Sequence, residues 1–133
     1  MEVTILLDHD IEAYGDFLLA GLREIGWEQD LSVSLRWLRD YGLPNNLPDQ
    51  EIWRFGQQQR IWLVTHNRNN EDETSLQATI RRENTLASLP VITISNKRKL
   101  VKPEYRRRVA TGLVEIVISP EKYYGTGRFF LPQ

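Results

Sequence analysis

Cysteine is absent from the 133 residues. That excludes disulfides and thiolate metal sites, and it suits a reducing compartment. No apolar run reaches the ~18 residues that would cross a bilayer. The start of the chain lacks the basic residues and long apolar stretch of a signal peptide, so a cytoplasmic location is expected. Also missing are a P-loop, a GxGxxG turn, an HExxH helix, a G-x-S-x-G elbow and any Cys/His zinc pattern. A kinase, a dehydrogenase or a serine hydrolase therefore has no support.

What is present suits a single globular domain spanning 1–133, with 41% hydrophobic and 26% charged residues. A net charge of −1 hides an asymmetry. Residues 1–94 carry 8 Lys/Arg against 15 Asp/Glu, while residues 95–133 carry 9 against 3. An acidic body joined to a basic C-terminal third can set metal-binding carboxylates beside a patch for a polyanion. The plainer reading is two solvated surfaces of opposite sign.

The apolar pattern predicts strands at "VTILLD" (3–8), "LSVSLRWL" (31–38), "RIWLVT" (60–65), "LPVITIS" (89–95) and "GRFFLP" (127–132). Ile11, Tyr14, Leu18, Leu22 and Ile25 recur at helical spacing, with Gly26 as the stop. Further helices are predicted after Pro48, through Leu76 and Ile80, and from Pro103 with Tyr105, Val109, Leu113 and Ile116 as its inner face. "DYGLPNNLP" (40–48) reads as loop. Strands alternating with helices imply an α/β fold with a mostly parallel sheet covered on both faces. In such sheets the site lies beyond the carboxyl ends of the strands.

Polar clusters fall at those ends. Asp8 and Asp10 follow the first strand; Asp49 and Glu51 open the second helix; Thr65, Asn67, Asn69, Glu71 and Asp72 follow the third strand. Converging carboxylate and amide oxygens are hard ligands suited to Mg²⁺ or Mn²⁺. Two such ions can activate water and stabilise the leaving oxygen in phosphodiester cleavage. Asp10 is also placed to cap the helix from Ile11, and a capping carboxylate can still face a metal.

"LLDHD", "LPDQEI" and "WLVTHNRN", in that order, resemble the three acidic motifs of PIN and PIN-like nuclease domains, most nearly those of small bacterial PIN-like proteins. The resemblance covers most of the chain. It implies a three-layer α/β/α sandwich, an acidic metal site holding Mg²⁺ or Mn²⁺, and metal-dependent hydrolysis of RNA, in some members as the toxin of a toxin–antitoxin pair. Carried over by position, Asp8 and Asp49 are the metal ligands and catalytic acids, with Asn67 beside them. Asp10 and Asp72 are accessory ligands, and Glu51 is a helper. Where the family has aspartates after the Thr, this chain has Asn67 and Asn69, whose neutral oxygens hold a divalent ion more weakly. Glu71 or Asp72 can substitute from the same loop.

Thr65 fits a supporting hydroxyl, and Arg68 a phosphate contact. Lys97, Arg98 and Lys99 follow the strand "PVITIS", with Lys102, Arg106, Arg107 and Arg108 close behind. Together they could hold an RNA backbone and lead it towards the metal; the plainer reading is a solvated basic helix start, paired with acids of a second copy. His9 and His66 are read as bystanders, although the loop position of His66 leaves an acid/base role open. Trp27, Trp37, Trp53 and Trp62 are read as core. The rival reading keeps the fold without catalysis, binding RNA, an antitoxin-like protein or a second copy of the chain.

Overall fold

The computed structural model describes residues 2–27, 31–66 and 75–133. Five strands form one sheet: β1 (Glu2–Leu7), β2 (Ser32–Trp37), β3 (Trp62–Thr65), β4 (Val91–Ile94) and β5 (Arg128–Leu131). Their order is β2-β1-β3-β4-β5, and every neighbouring pair is parallel. The helices between them are α1 (Gly15–Glu24), α2 (Asp49–Gln59), α3 (Leu76–Glu83) and α4 (Pro103–Ile118). Among the described residues, no helix is long and apolar enough to cross a membrane.

The strand sequences match their places in the sheet. β3 and β4 are central and buried along their whole length, as "WLVT" and "VITI" suggest. β2 is an edge strand in which only Leu35 is fully buried, which accounts for its alternating pattern. On one face, Ile5, Leu7, Val64, Ile92 and Ile94 pack with Leu18 and Leu22 of α1 and Val109 and Leu113 of α4. On the other, Leu6, Leu63 and Val91 pack with Ile52 and Trp53 of α2 and Leu76 and Ile80 of α3. The result is a three-layer α/β/α sandwich. Each fully buried Leu or Ile stabilises it by roughly 1.5–3 kcal/mol relative to exposure. Trp53 and Trp62 are buried and Trp27 and Trp37 pack partly against the core, so the tryptophans are structural.

Gly21 sets the closeness of α1 and α4. A Cβ there would lie 2.7 Å from the Arg106 carbonyl oxygen, so any side chain would force the two backbones apart.

The helix after "LLDHD" starts later than its periodicity predicts. Ile11 is completely buried, and its N–H donates to the Asp8 carbonyl at 3.1 Å. This tight turn leads into a 3-10 turn at Glu12–Tyr14, and α1 begins only at Gly15. Further 3-10 turns form at Leu38–Tyr41, Lys97–Val101 and Pro120–Lys122. Leu38–Tyr41 is fixed by the Asp40 carboxylate, which accepts the Trp37 N–H at 2.7 Å. Lys97–Val101 links β4 to α4.

Candidate functional site

The chain leaves β1 towards β2 and leaves β3 towards β4, so the strand order reverses between β1 and β3. A crevice opens at the carboxyl ends of strands around such a reversal. Asp8 stands there. Its N–H continues the ladder to the Val64 carbonyl at 3.0 Å, and its side chain is only 2% exposed. One carboxylate oxygen accepts the His9 N–H at 2.7 Å and lies 3.1 Å from His9 Nδ1. The other is 3.2 Å from the Thr65 hydroxyl.

Thr65 ends β3, fully buried, and its hydroxyl is also 3.2 Å from both carboxylate oxygens of Asp10. The hydroxyl carries one proton and faces three carboxylate oxygens, so it cannot satisfy both aspartates. Asp10 gains a further donor in the His66 N–H at 3.1 Å. Burial pushes the Asp8 carboxyl up to about 6 from an ordinary 3.8. The charge of Asp10 adds to that rise, the His9 ring and N–H oppose it, and the charge of Asp49 at the start of α2 raises it further. The structure therefore gathers Asp8, Asp10 and Thr65, with Asp49 near enough to be felt.

Asp10 does not cap the helix. Ile11 occupies the cap position of the first turn, with no side-chain cap bond, and the Asp10 carboxylate reaches across to the end of β3 instead. The turn at Ile11 delays α1 to Gly15, five residues beyond Asp10. Glu51 is exposed and paired with Arg54 at 3.3 Å.

A second group adjoins the first. Lys97 donates its ammonium to the Asp10 carbonyl oxygen and lies 6.0 Å from the centre of the Tyr14 ring. It thus ties the end of β4 to the end of β1. Arg98 and Lys99 line a cleft of about 650 Å³ together with His66, Ser95, Asn96, Lys97 and Lys102. The cleft wall is held by the Asn96 N–H, which donates to the Tyr105 hydroxyl at 2.9 Å, while Lys99 lies over the Tyr105 ring at 5.9 Å. His66 Nδ1 is 2.9 Å from the Ile94 carbonyl, which can only accept, so Nδ1 carries the proton. In the neutral ring Nε2 is then left as a lone pair.

The rest of the basic segment is not in this cleft. Glu24 of α1 takes Arg106 in a two-pronged contact at 2.6–3.0 Å and lies 3.9 Å from Arg107. The pairing lowers the Glu24 carboxyl below its usual range through the Arg106 hydrogen bonds. Arg108 donates to the Gln133 carbonyl at 3.4 Å. Of the cations expected to hold phosphate, Arg106 is paired with Glu24 and Arg107 lies near it, because α1 packs on α4.

Asn67, Arg68, Asn69, Glu71 and Asp72 lie outside the described residues. The geometry brings in both histidines that the sequence presents as bystanders. His9 contacts Asp8, and His66 holds Asp10 through its backbone while its ring lines the cleft. Their adjacency to Asp8 and Thr65 was the available signal. No family model, no curated protein and no solved structure matches the chain.

Proposed function

We propose that the chain is a PIN-like, Mg²⁺- or Mn²⁺-dependent ribonuclease working at the carboxyl ends of β1 and β3. One observation carries the reading: two aspartates, one of them buried, crowd a single hydroxyl proton at the point where the strand order reverses. Such a site is short of positive charge, and a divalent cation supplies it.

The donors fit a hard ion. Mg²⁺ is commonly held by one or two carboxylates with water completing its shell. Among the described residues no group of three or more His, Cys, Asp or Glu side chains gathers as a metal site. Binding through Asp8 and Asp10, with Asp49 near, is accordingly weak. When bound, such an ion lowers the pKa of water and offsets charge on phosphoryl oxygens. The chain's own groups do the rest. Thr65 and the His66 N–H hold the two carboxylates in place, and Lys97, beside Asp10, neutralises phosphate charge.

The test is cleavage of single-stranded RNA in Mn²⁺, with Mn²⁺ binding followed by calorimetry. Slow cleavage that stops in EDTA, with Mn²⁺ heat that disappears in Asp8→Asn, is expected. RNA binding with neither Mn²⁺ heat nor cleavage would favour the non-catalytic reading, with the fold serving as a binding module.

A further inference from the structure

We propose that the cleft beyond β4 seats the terminal phosphate of an RNA strand, a phosphomonoester, and so makes the enzyme act at strand ends; the inference rests on reading the neighbouring acidic site as RNA-cleaving. Three observations lead there.

The first is charge without an internal partner. Lys97, Arg98, Lys99 and Lys102 line the cleft within six positions of sequence, and among the described residues no acid lines it with them and none of the four forms an ion pair. The arginines that follow on α4 behave differently, since Glu24 takes Arg106 and approaches Arg107. Four like charges held together without an acid repel one another, and an anion of more than one charge relieves that repulsion best. A phosphodiester carries one negative charge, whereas a phosphomonoester carries about 1.5–2 at neutral pH.

The second is shape. Proteins that bind the interior of a single strand use a positive groove that tracks the backbone. Here Glu24 takes Arg106 and approaches Arg107, which weakens the positive charge where α4 begins. What remains is a concavity of about 650 Å³, within the range of small-ligand pockets and larger than a lone phosphate requires. A confined cluster suits a chain end better than a passing backbone. The neighbouring Tyr14 and Tyr105 rings each lie under a lysine, so the visible contacts favour the phosphate over base stacking.

The third is position. Lys97 reaches the Asp10 carbonyl, and the His66 ring lines the cleft while its N–H holds the Asp10 carboxylate. A phosphate seated in the cleft therefore lies next to the carboxylates, and the bond brought to them is one close to the strand end.

The test separates the end preference from cleavage. Short single-stranded RNAs of one sequence, with a 5′-phosphate, a 3′-phosphate or hydroxyls at both ends, are titrated against Asp8→Asn protein in EDTA and followed by fluorescence anisotropy. One phosphorylated RNA should bind about tenfold more tightly than the hydroxyl-ended strand. Joint Lys99→Ala and Lys102→Ala replacement should erase the difference between the phosphorylated and the hydroxyl-ended strands. Equal affinity for all three RNAs, or a preference that survives the double replacement, would overturn the proposal. AMP competing as strongly as the phosphorylated RNA would also overturn it, because the cleft would then be a mononucleotide site. A retained end preference in a protein that never cleaves RNA in Mn²⁺ would sink the acidic-site reading alone.

Discussion

Two neighbouring regions at one end of the sheet follow opposite physical rules. At the ends of β1 and β3, a buried Asp8 and a half-buried Asp10 share the one hydroxyl of Thr65. At the end of β4, Lys97, Arg98 and Lys99 sit half-buried or exposed on a 3-10 turn, and among the described residues none of them pairs with an acid. A buried charge is costly unless compensated, so Asp8 is a position where the fold bears a penalty for a group that serves something else. Exposed lysines cost little on folding, and their value lies in what they attract. In the proposed function the acidic end carries the chemistry and the basic end the capture.

The largest expected effect comes from removing the penalty. The folded-state value of Asp8, about 6, lies above its ordinary 3.8, so protonation favours the fold. That contribution is fully present below about pH 3.8 and is lost as pH rises through about 6. The ionised carboxylate then costs on the order of 3 kcal/mol near neutral pH. Asp8→Asn should stabilise the metal-free protein by about 1–3 kcal/mol above pH 7, with the gain fading below about pH 4. It should also lower Mn²⁺-dependent cleavage at least ~100-fold. Urea unfolding at several pH values, set beside RNA cleavage by the same protein, gives both readings. A variant that is less stable at every pH would show that Asp8 is a satisfied structural carboxylate.

A smaller effect tests the basic side. Replacing Lys97, Arg98 and Lys99 with Ala should flatten the log–log salt dependence of RNA binding by about two units if each makes one phosphate contact. Arg107→Ala should leave that slope unchanged, because this arginine donates to the Pro103 carbonyl and leans towards Glu24. A slope altered equally by both would erase the division between cleft and helix. Titrations of one RNA over a range of salt concentrations decide it.

Much of this layout was legible in the sequence. Central and edge strands differ as continuous against alternating apolar runs, so "WLVT" and "SVSLRW" announced their places. Pro103 marked a helix start that the structure keeps, and the helix predicted through Leu76 and Ile80 forms behind Ser75, which accepts the Ala78 N–H at 3.2 Å. Asp8 and Thr65 were legible because polar residues closing buried strands have few structural uses. The partner of Asp10 was not. Choosing between a cap and a cross-strand contact depends on where the helix begins, and that depends on burying Ile11, a tertiary event that local periodicity does not encode. The splitting of the basic run was hidden for the same reason. Glu24 and Arg106 are distant in sequence and meet only because Gly21 lets α1 approach α4 closely.

The finest division lies between two threonines. Thr65 and Thr93 are register partners on β3 and β4, and both are completely buried. The Thr65 hydroxyl faces three carboxylate oxygens, while the Thr93 hydroxyl meets no hydrogen-bond partner. Replacing each with Val keeps the shape and removes only the hydroxyl. At Thr65 the change strips a donor from a carboxylate pair already short of them, and Mn²⁺ affinity should fall about 10–100-fold as the two aspartates lose their alignment. At Thr93 it removes a polar group that was desolvated without return, so the protein should gain about 1 kcal/mol while Mn²⁺ binding and RNA cleavage stay as they were. Thermal unfolding and Mn²⁺ calorimetry on the two variants provide the measurement. If Thr93→Val destabilises instead, its hydroxyl holds a water in the folded protein, and the polar strip begun by Asp10 and Thr65 extends one strand further across the sheet.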